Sequence, residues 1–180
     1  APDGIDGELF FQKHAGAGMG DAIQPLPVRG KAGGRQDYLA IENTRGLLQL
    51  VQMNALEFHP WGVTPGDPEH PDRIVFDLDP GDGVTWKAVL AAARAIRDRL
   101  ADVGLPSFPL LSGGKGVHVV VPLAGRDGWD DAKAFARAVA QVFAAQEPRR
   151  YVATATKARR GGRIFIGWLR NGRGATSVAP

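Results

Sequence analysis

The chain contains no cysteine among its 180 residues. That absence excludes disulfides, thiol catalysis and thiolate metal sites together, so any metal must rely on carboxylate, imidazole or carbonyl ligands. It also has no apolar run near 18 residues and no basic-then-apolar leader, so neither a membrane span nor a secretory signal is expected. The expected compartment is the cytoplasm. Internal repeats and low-complexity tracts are missing too, and with 44% hydrophobic and 23% charged residues the composition is that of a folded protein. A chain of this length is expected to form one domain, residues 1–180. The opening Ala1-Pro2-Asp3-Gly4 lacks an initiator methionine, and the expectation is a piece of a longer protein. Acid is absent from the last stretch: Arg149 to Pro180 holds eight basic residues and no Asp or Glu, while residues 1–148 hold 14 basic and 19 acidic side chains. A basic end beside an acidic body suits the handling of a polyanion. A solvated basic face accounts for the charge alone equally well.

What is present begins with Ile74-Val75-Phe76-Asp77-Leu78-Asp79-Pro80. Side chains on a strand alternate between faces, so Asp77 and Asp79 share one face while Ile74, Phe76 and Leu78 enter the core on the other. Two such charges about 4 Å apart repel by roughly 1 kcal/mol in water and roughly 4 kcal/mol near a protein surface. A divalent cation on oxygen ligands is the economical way to hold them together, and it points toward phosphate chemistry.

Short strands are expected at 9–13 and 37–41 with a loop rich in Gly and Pro between them. Thr44 reads as the N-cap of a helix carrying Leu47, Leu48, Leu50, Val51 and Leu56. Helices are also expected over Thr85–Val103, stopped by Gly104, and over Asp130–Gln146, stopped by Pro148. Further strands read at 108–111, 117–121, 151–154 and 163–168, with Lys157 to Arg160 turning between the last two. The fold class is α+β, with a mostly antiparallel central sheet flanked by helices.

Ser112-Gly113-Gly114-Lys115-Gly116-Val117-His118 joins two of those strands. Its glycines free the backbone to approach an anion, so N–H groups can form a nest around phosphate oxygens; Lys115 adds a charge and Ser112 a donor. Val117, Val119 and Val121 enter the core while His118 faces the other way, toward the same ligand. This is not a Walker A loop, because Gly116 follows Lys115 and the leading glycine spacing differs. Taken by itself, the segment also reads as a tight hairpin turn with a solvated lysine.

These motifs fall in one order with Phe10-Phe11-Gln12-Lys13-His14, Leu56-Glu57-Phe58-His59-Pro60-Trp61-Gly62, Val121-Pro122-Leu123 and the run from Arg170-Asn171-Gly172-Arg173 to Pro180. Together they resemble the polymerase domain of bacterial ligase D, of the archaeo-eukaryotic primase superfamily. The resemblance implies a primase-polymerase-like fold and metal-dependent transfer of an NTP or dNTP to a DNA 3′ end in non-homologous end joining, a form of double-strand-break repair. It implies that Asp77 and Asp79 bind manganese or magnesium and are catalytic, and that Ser112, Gly113, Lys115 and His118 contact the incoming nucleotide. Phe10 and Phe11 match aromatics that pack on template bases, although alternation on a strand would turn one of them inward. Lys13, Lys157, Arg159, Arg160, Arg170 and Arg173 are the expected DNA contacts, and His59 and Trp61 look like structural corner residues. Implied partners are DNA ends with a gap or 5′-phosphate, Ku, and ligase and nuclease domains. No membrane is involved, and association with the nucleoid is expected on DNA.

One position departs from the family. A third metal-binding acid is expected in the strand before Arg170-Asn171, and Gly167 stands there instead. Ions about 3.5 to 4 Å apart hold the attacking hydroxyl and the departing pyrophosphate in two-metal transfer. Loss of one acid is expected to weaken the ion nearest the nucleophile, leaving one bound. The chain is also expected to be shorter than the family domain at both ends. Two alternatives follow: a catalytically degenerate module that binds DNA or nucleotide, and a phosphatase of the haloacid-dehalogenase type. In the phosphatase Asp77 would be the nucleophile, Asp79 a general acid, Ser112 a second motif and Asp130-Asp131 a terminal acid pair. Against it, Asp130-Asp131 opens a helix, and Asp82 replaces the usual threonine.

Overall fold

The computed structural model describes residues 6–14, 16, 18–29 and 34–179. The chain divides into two compact units, Ala1–Phe58 and His59–Pro180. In the first unit, strand β1 (Gln24–Arg29) pairs antiparallel with β2 (Arg35–Ala40), and helix α1 spans Thr44–Gln52. β1 lies in the expected loop. Pro25 and Pro27 mask it in the sequence, yet their spacing of two lets both occupy positions whose missing N–H points away from β2. Residues 9–13, expected as a strand, form none. They find no partner strand among the described residues, and a lone extended run leaves its backbone groups unpaired. The N-cap of α1 is Asn43, one residue before the expected Thr44, with its side chain accepting from the Gly46 N–H at 3.2 Å. The helix stops short of Leu56. Asn54 takes a left-handed φ of 58° just beyond its end, as asparagine tolerates.

The second unit holds a five-stranded sheet in the order β4-β5-β3-β7-β6, built from β3 (Arg73–Pro80), β4 (Phe108–Leu110), β5 (Val117–Pro122), β6 (Tyr151–Val152) and β7 (Ile164–Gly167). Every pair is antiparallel except β6 with β7. The expected class, α+β with a mostly antiparallel sheet, is therefore what forms. Helix α2 (Trp86–Ala101) is capped by Thr85, whose side chain accepts from the Ala88 N–H. Helix α3 (Trp129–Gln146) carries Asp130 and Asp131 in its first turn, where carboxylates complement the helix dipole.

One face of the sheet is apolar, as the alternation requires. Ile74, Phe76 and Leu78 of β3, Val117, Val119 and Val121 of β5, and Ile164 and Ile166 of β7 pack on Val89, Ala92, Ile96 and Leu100 of α2 and on Ala132, Ala136, Ala140 and Phe143 of α3. The alanines of α3 let the helix axis approach the sheet closely. Asp77 and Asp79 thus project from the face opposite α2 and α3. No helix among the described residues is long and apolar enough to cross a membrane.

Candidate active site

Register aligns the site. Asp77 pairs with His118 on one side and with Gly167 on the other, so the three positions form one rung across β5, β3 and β7. Directly opposed residues of antiparallel strands present side chains on the same face. An acid at 167 would therefore stand beside Asp77, and instead there is no side chain. Room for one is scant: a Cβ at 167 would lie 3.0 Å from the Asp77 carbonyl oxygen and 3.2 Å from both Asp77 Cβ and Phe165 Cε1.

Both carboxylates are met by guanidinium groups from the acid-free end of the chain. Arg170 Nε donates to Asp77 Oδ2 at 2.7 Å and Arg160 Nη1 to Asp79 Oδ2 at 3.0 Å. His118 Nε2 lies 3.4 Å from Asp77 Oδ1, while its Nδ1 is buried without a partner among the described residues. Burial pushes the Asp77 carboxyl up, but hydrogen bonds from His118 and Arg170 and their charges outweigh it and hold the group below the usual carboxylate range. Arg160 also stacks over Phe165 at 4.2 Å and donates to the Ala155 carbonyl at 2.7 Å. Gly81 makes that approach possible, because a Cβ there would sit 1.9 Å from the Arg160 carbonyl oxygen.

The glycine turn comes to the same corner. Gly116 runs against β3 so closely that a Cβ would meet the Leu78 carbonyl oxygen at 2.3 Å. Beside it Lys115 lines a cavity of about 310 Å³ with Pro80, Asp82, Gly83, Val84 and Trp86. Val89 of α2 lines the cavity as well, and Asp77 and Asp79 do not. Ser112 and Gly113 lie in the preceding turn, Gly113 with a positive φ of 77°.

Of the expected DNA contacts, Arg160 and Arg170 hold the acidic pair, and Arg173 forms a two-pronged pair with Glu69 at 2.6 and 3.0 Å. Lys157 and Arg159 are exposed in a short 3-10 turn. Phe10 and Phe11, in the first unit, are both exposed, and Lys13 lies over the Phe11 ring. The alternation that would have buried one of them does not apply, because the segment is not a strand. Trp61 stacks on Trp129, whose indole donates to the Pro68 carbonyl at 3.0 Å, and it bridges Thr176.

Sequence reasoning passed over Asn171. It is 2% exposed; its Oδ1 accepts from the Val75 N–H at 2.7 Å and its Nδ2 donates to the Val75 carbonyl at 2.9 Å and that of Trp168 at 3.0 Å. β7 ends at Gly167, so Val75 has no ladder partner on that side and the amide takes its place. An amide beside Arg170 in an otherwise basic run was the only available signal.

The ion pair that the family resemblance implies does not fit these residues. Each acid has an oxygen committed to an arginine, the third position offers no ligand, and among the described residues no group of three or more His, Cys, Asp or Glu side chains is arranged to hold a metal.

The comparisons agree with the motifs. A family model described as LigD, primase-polymerase domain, matches residues 1–180. The multifunctional non-homologous end joining protein LigD of Pseudomonas aeruginosa is 43% identical over 179 residues, covering 99% of this chain and 21% of that protein. The Mycolicibacterium smegmatis protein of the same description is 36% identical, with 99% and 24% covered. A solved structure, the polymerase domain from Mycobacterium tuberculosis ligase D in complex with DNA, superposes with a TM-score of 0.90 at 36% identity, covering all of this chain and 65% of that one. The chain thus spans under a quarter of the length of these two curated relatives. It belongs to the LigD primase-polymerase domain family, whose members serve non-homologous end joining.

Proposed function

We propose that this chain is the nucleotidyl-transfer domain of a DNA end-joining protein, one that binds a nucleoside triphosphate and a DNA end but transfers slowly. The observation that carries the reading is the pairing of Asp77 with His118 beside Asp79 on one face of the sheet, with the turn that holds Lys115 pressed onto β3 at Leu78. Lys115 and the turn N–H groups are suited to hold phosphate oxygens, with Ser112 and Gly113 shaping that turn. Exposed Phe10 and Phe11 are suited to stack on template bases, and Lys13, Lys157 and Arg159 to meet DNA phosphates. Substrates on this reading are DNA ends with a gap or 5′-phosphate and NTPs or dNTPs; Ku and attached ligase and nuclease domains are its partners. The manganese or magnesium ions implied by the family lack a complete donor set here, so binding is expected to survive better than turnover.

A second reading, a module that binds without transfer, is favoured by Gly167 and by the arginines on both acids. Primer extension on gapped DNA with a 5′-phosphate separates the two. Gly167→Asp should raise extension with manganese, and Asp77→Ala should abolish whatever the native chain shows. Native extension as fast as that of Gly167→Asp would remove the argument from the third acid. No extension by either, with nucleotide and DNA still bound, would select the binding module.

A further inference from the structure

On the helix side of the sheet, away from Asp77, lies a cleft of about 480 Å³ between α3 and the β6 edge. Its lining includes Arg137 and Gln141 of α3, Tyr151 and Thr154 on and after β6, Arg163 before β7, and Trp168 after it. None of its lining residues is an acid, and the sequence has no acid beyond Glu147. Among the described residues the two arginines are held without a carboxylate. Arg163 donates to the backbone carbonyls of Pro148 and Arg159, and Arg137 lies over the Trp168 ring at 5.3 Å, next to Lys133 at 5.9 Å. Lys133, Arg137 and Gln141 recur at intervals of four, which places them in one row along α3.

Tyr151 is the second, independent sign. It is 1% exposed, and its hydroxyl is buried with no hydrogen-bond partner among the described residues. A buried hydroxyl left unpaired is destabilising, and native proteins rarely tolerate one without cause. Burial also pushes the phenol above its ordinary value, with Arg150 opposing, so the group keeps its proton and can donate. Two guanidinium groups, an amide, a hydroxyl and a buried phenol donor together match an oxyanion carrying several acceptor oxygens.

We infer that this cleft is a phosphate-binding site, separate from the acidic face, which holds either a backbone phosphate of a DNA strand passing the β6 edge or the phosphate of a free nucleotide. Exposed Lys157 and Arg159 lie just beyond Thr154 in the chain, so a strand crossing the cleft would pass from one basic group to the next.

The test is a titration of ¹⁵N-labelled chain with single-stranded DNA, with inorganic phosphate and with a nucleoside triphosphate in the presence of a chelator, following the Trp168 indole and Gln141 amide signals. Movement with DNA alone assigns a backbone phosphate, and movement with all three assigns a site for free phosphate as well. Arg137→Gln should weaken the DNA complex about 3- to 10-fold and lower its salt slope by about one. Tyr151→Phe should weaken it while the melting temperature stays equal or rises, which a merely structural tyrosine would not do. Signals that stay put with every phosphate probe overturn the inference, as do an Arg137→Gln chain that binds DNA like the native one or movement with poly-glutamate but not with DNA.

Discussion

Asn171 touches no expected ligand, yet it completes the hydrogen bonding of β3 two residues from Asp77 and fixes where Arg170 begins. Asn171→Ala leaves the Val75 N–H and carbonyl unpaired in a dry interior and should cost about 1–3 kcal/mol in urea unfolding. Asn171→Asp keeps the acceptor and loses the donor, so it should fall at least as far. Gly167→Asp is a different kind of change. Relief of glycine's backbone entropy is worth about 0.5–1 kcal/mol, while crowding against Asp77 and Phe165 costs about 1–3 kcal/mol. The variant should therefore melt below the native chain even as its extension rate rises. Residues that act through alternation were readable: Asp77, Asp79 and His118 share a face as the pattern of two requires. The arginines that meet them were not, since Arg160 and Arg170 lie 81 and 93 residues from their acids and nothing local specifies such a pairing.

Elements were legible where periodicity and caps agree. α2 and α3 carry long apolar stripes and clear stops, and both form within two residues of their expected bounds. β1 was hidden by its prolines, and residues 9–13 looked like a strand because composition cannot report whether a partner exists. The Lys115 turn joins β4 and β5 as expected, but the contact that presses it onto β3 lies outside any local rule. Gly116→Ala must push the turn off the Leu78 carbonyl, at a cost of about 1–3 kcal/mol. It should weaken triphosphate binding by more than it weakens DNA binding, measured by calorimetry on the two ligands separately. A uniform loss in both would mean that the turn serves folding alone.

For the molecule as a whole, charge sets the response to pH and salt. Hydrogen bonding from Arg173 holds the Glu69 carboxyl below its unfolded value near 4.5, with burial opposing. A depressed folded value makes the contribution fully present above that pH and lost as pH falls through the folded value. Melting temperature should accordingly drop on acidification below about pH 4.5, and Arg173→Gln should flatten that limb. DNA affinity should fall steeply between low and moderate salt, since the stretch after Glu147 carries basic residues and no acid, and Lys157 and Arg159 in it are exposed.

The clasp between Asn171 and Val75 also has a consequence in time. It joins groups 96 residues apart, and closing so long a loop is among the slower demands on a folding chain. Both acids lie on β3, whereas their arginine partners stand 81 and 93 residues further along. Asn171→Ala should then accelerate unfolding and leave the refolding rate nearly unchanged in stopped-flow experiments. The charge balance of the site thus rests on contacts of the same long range.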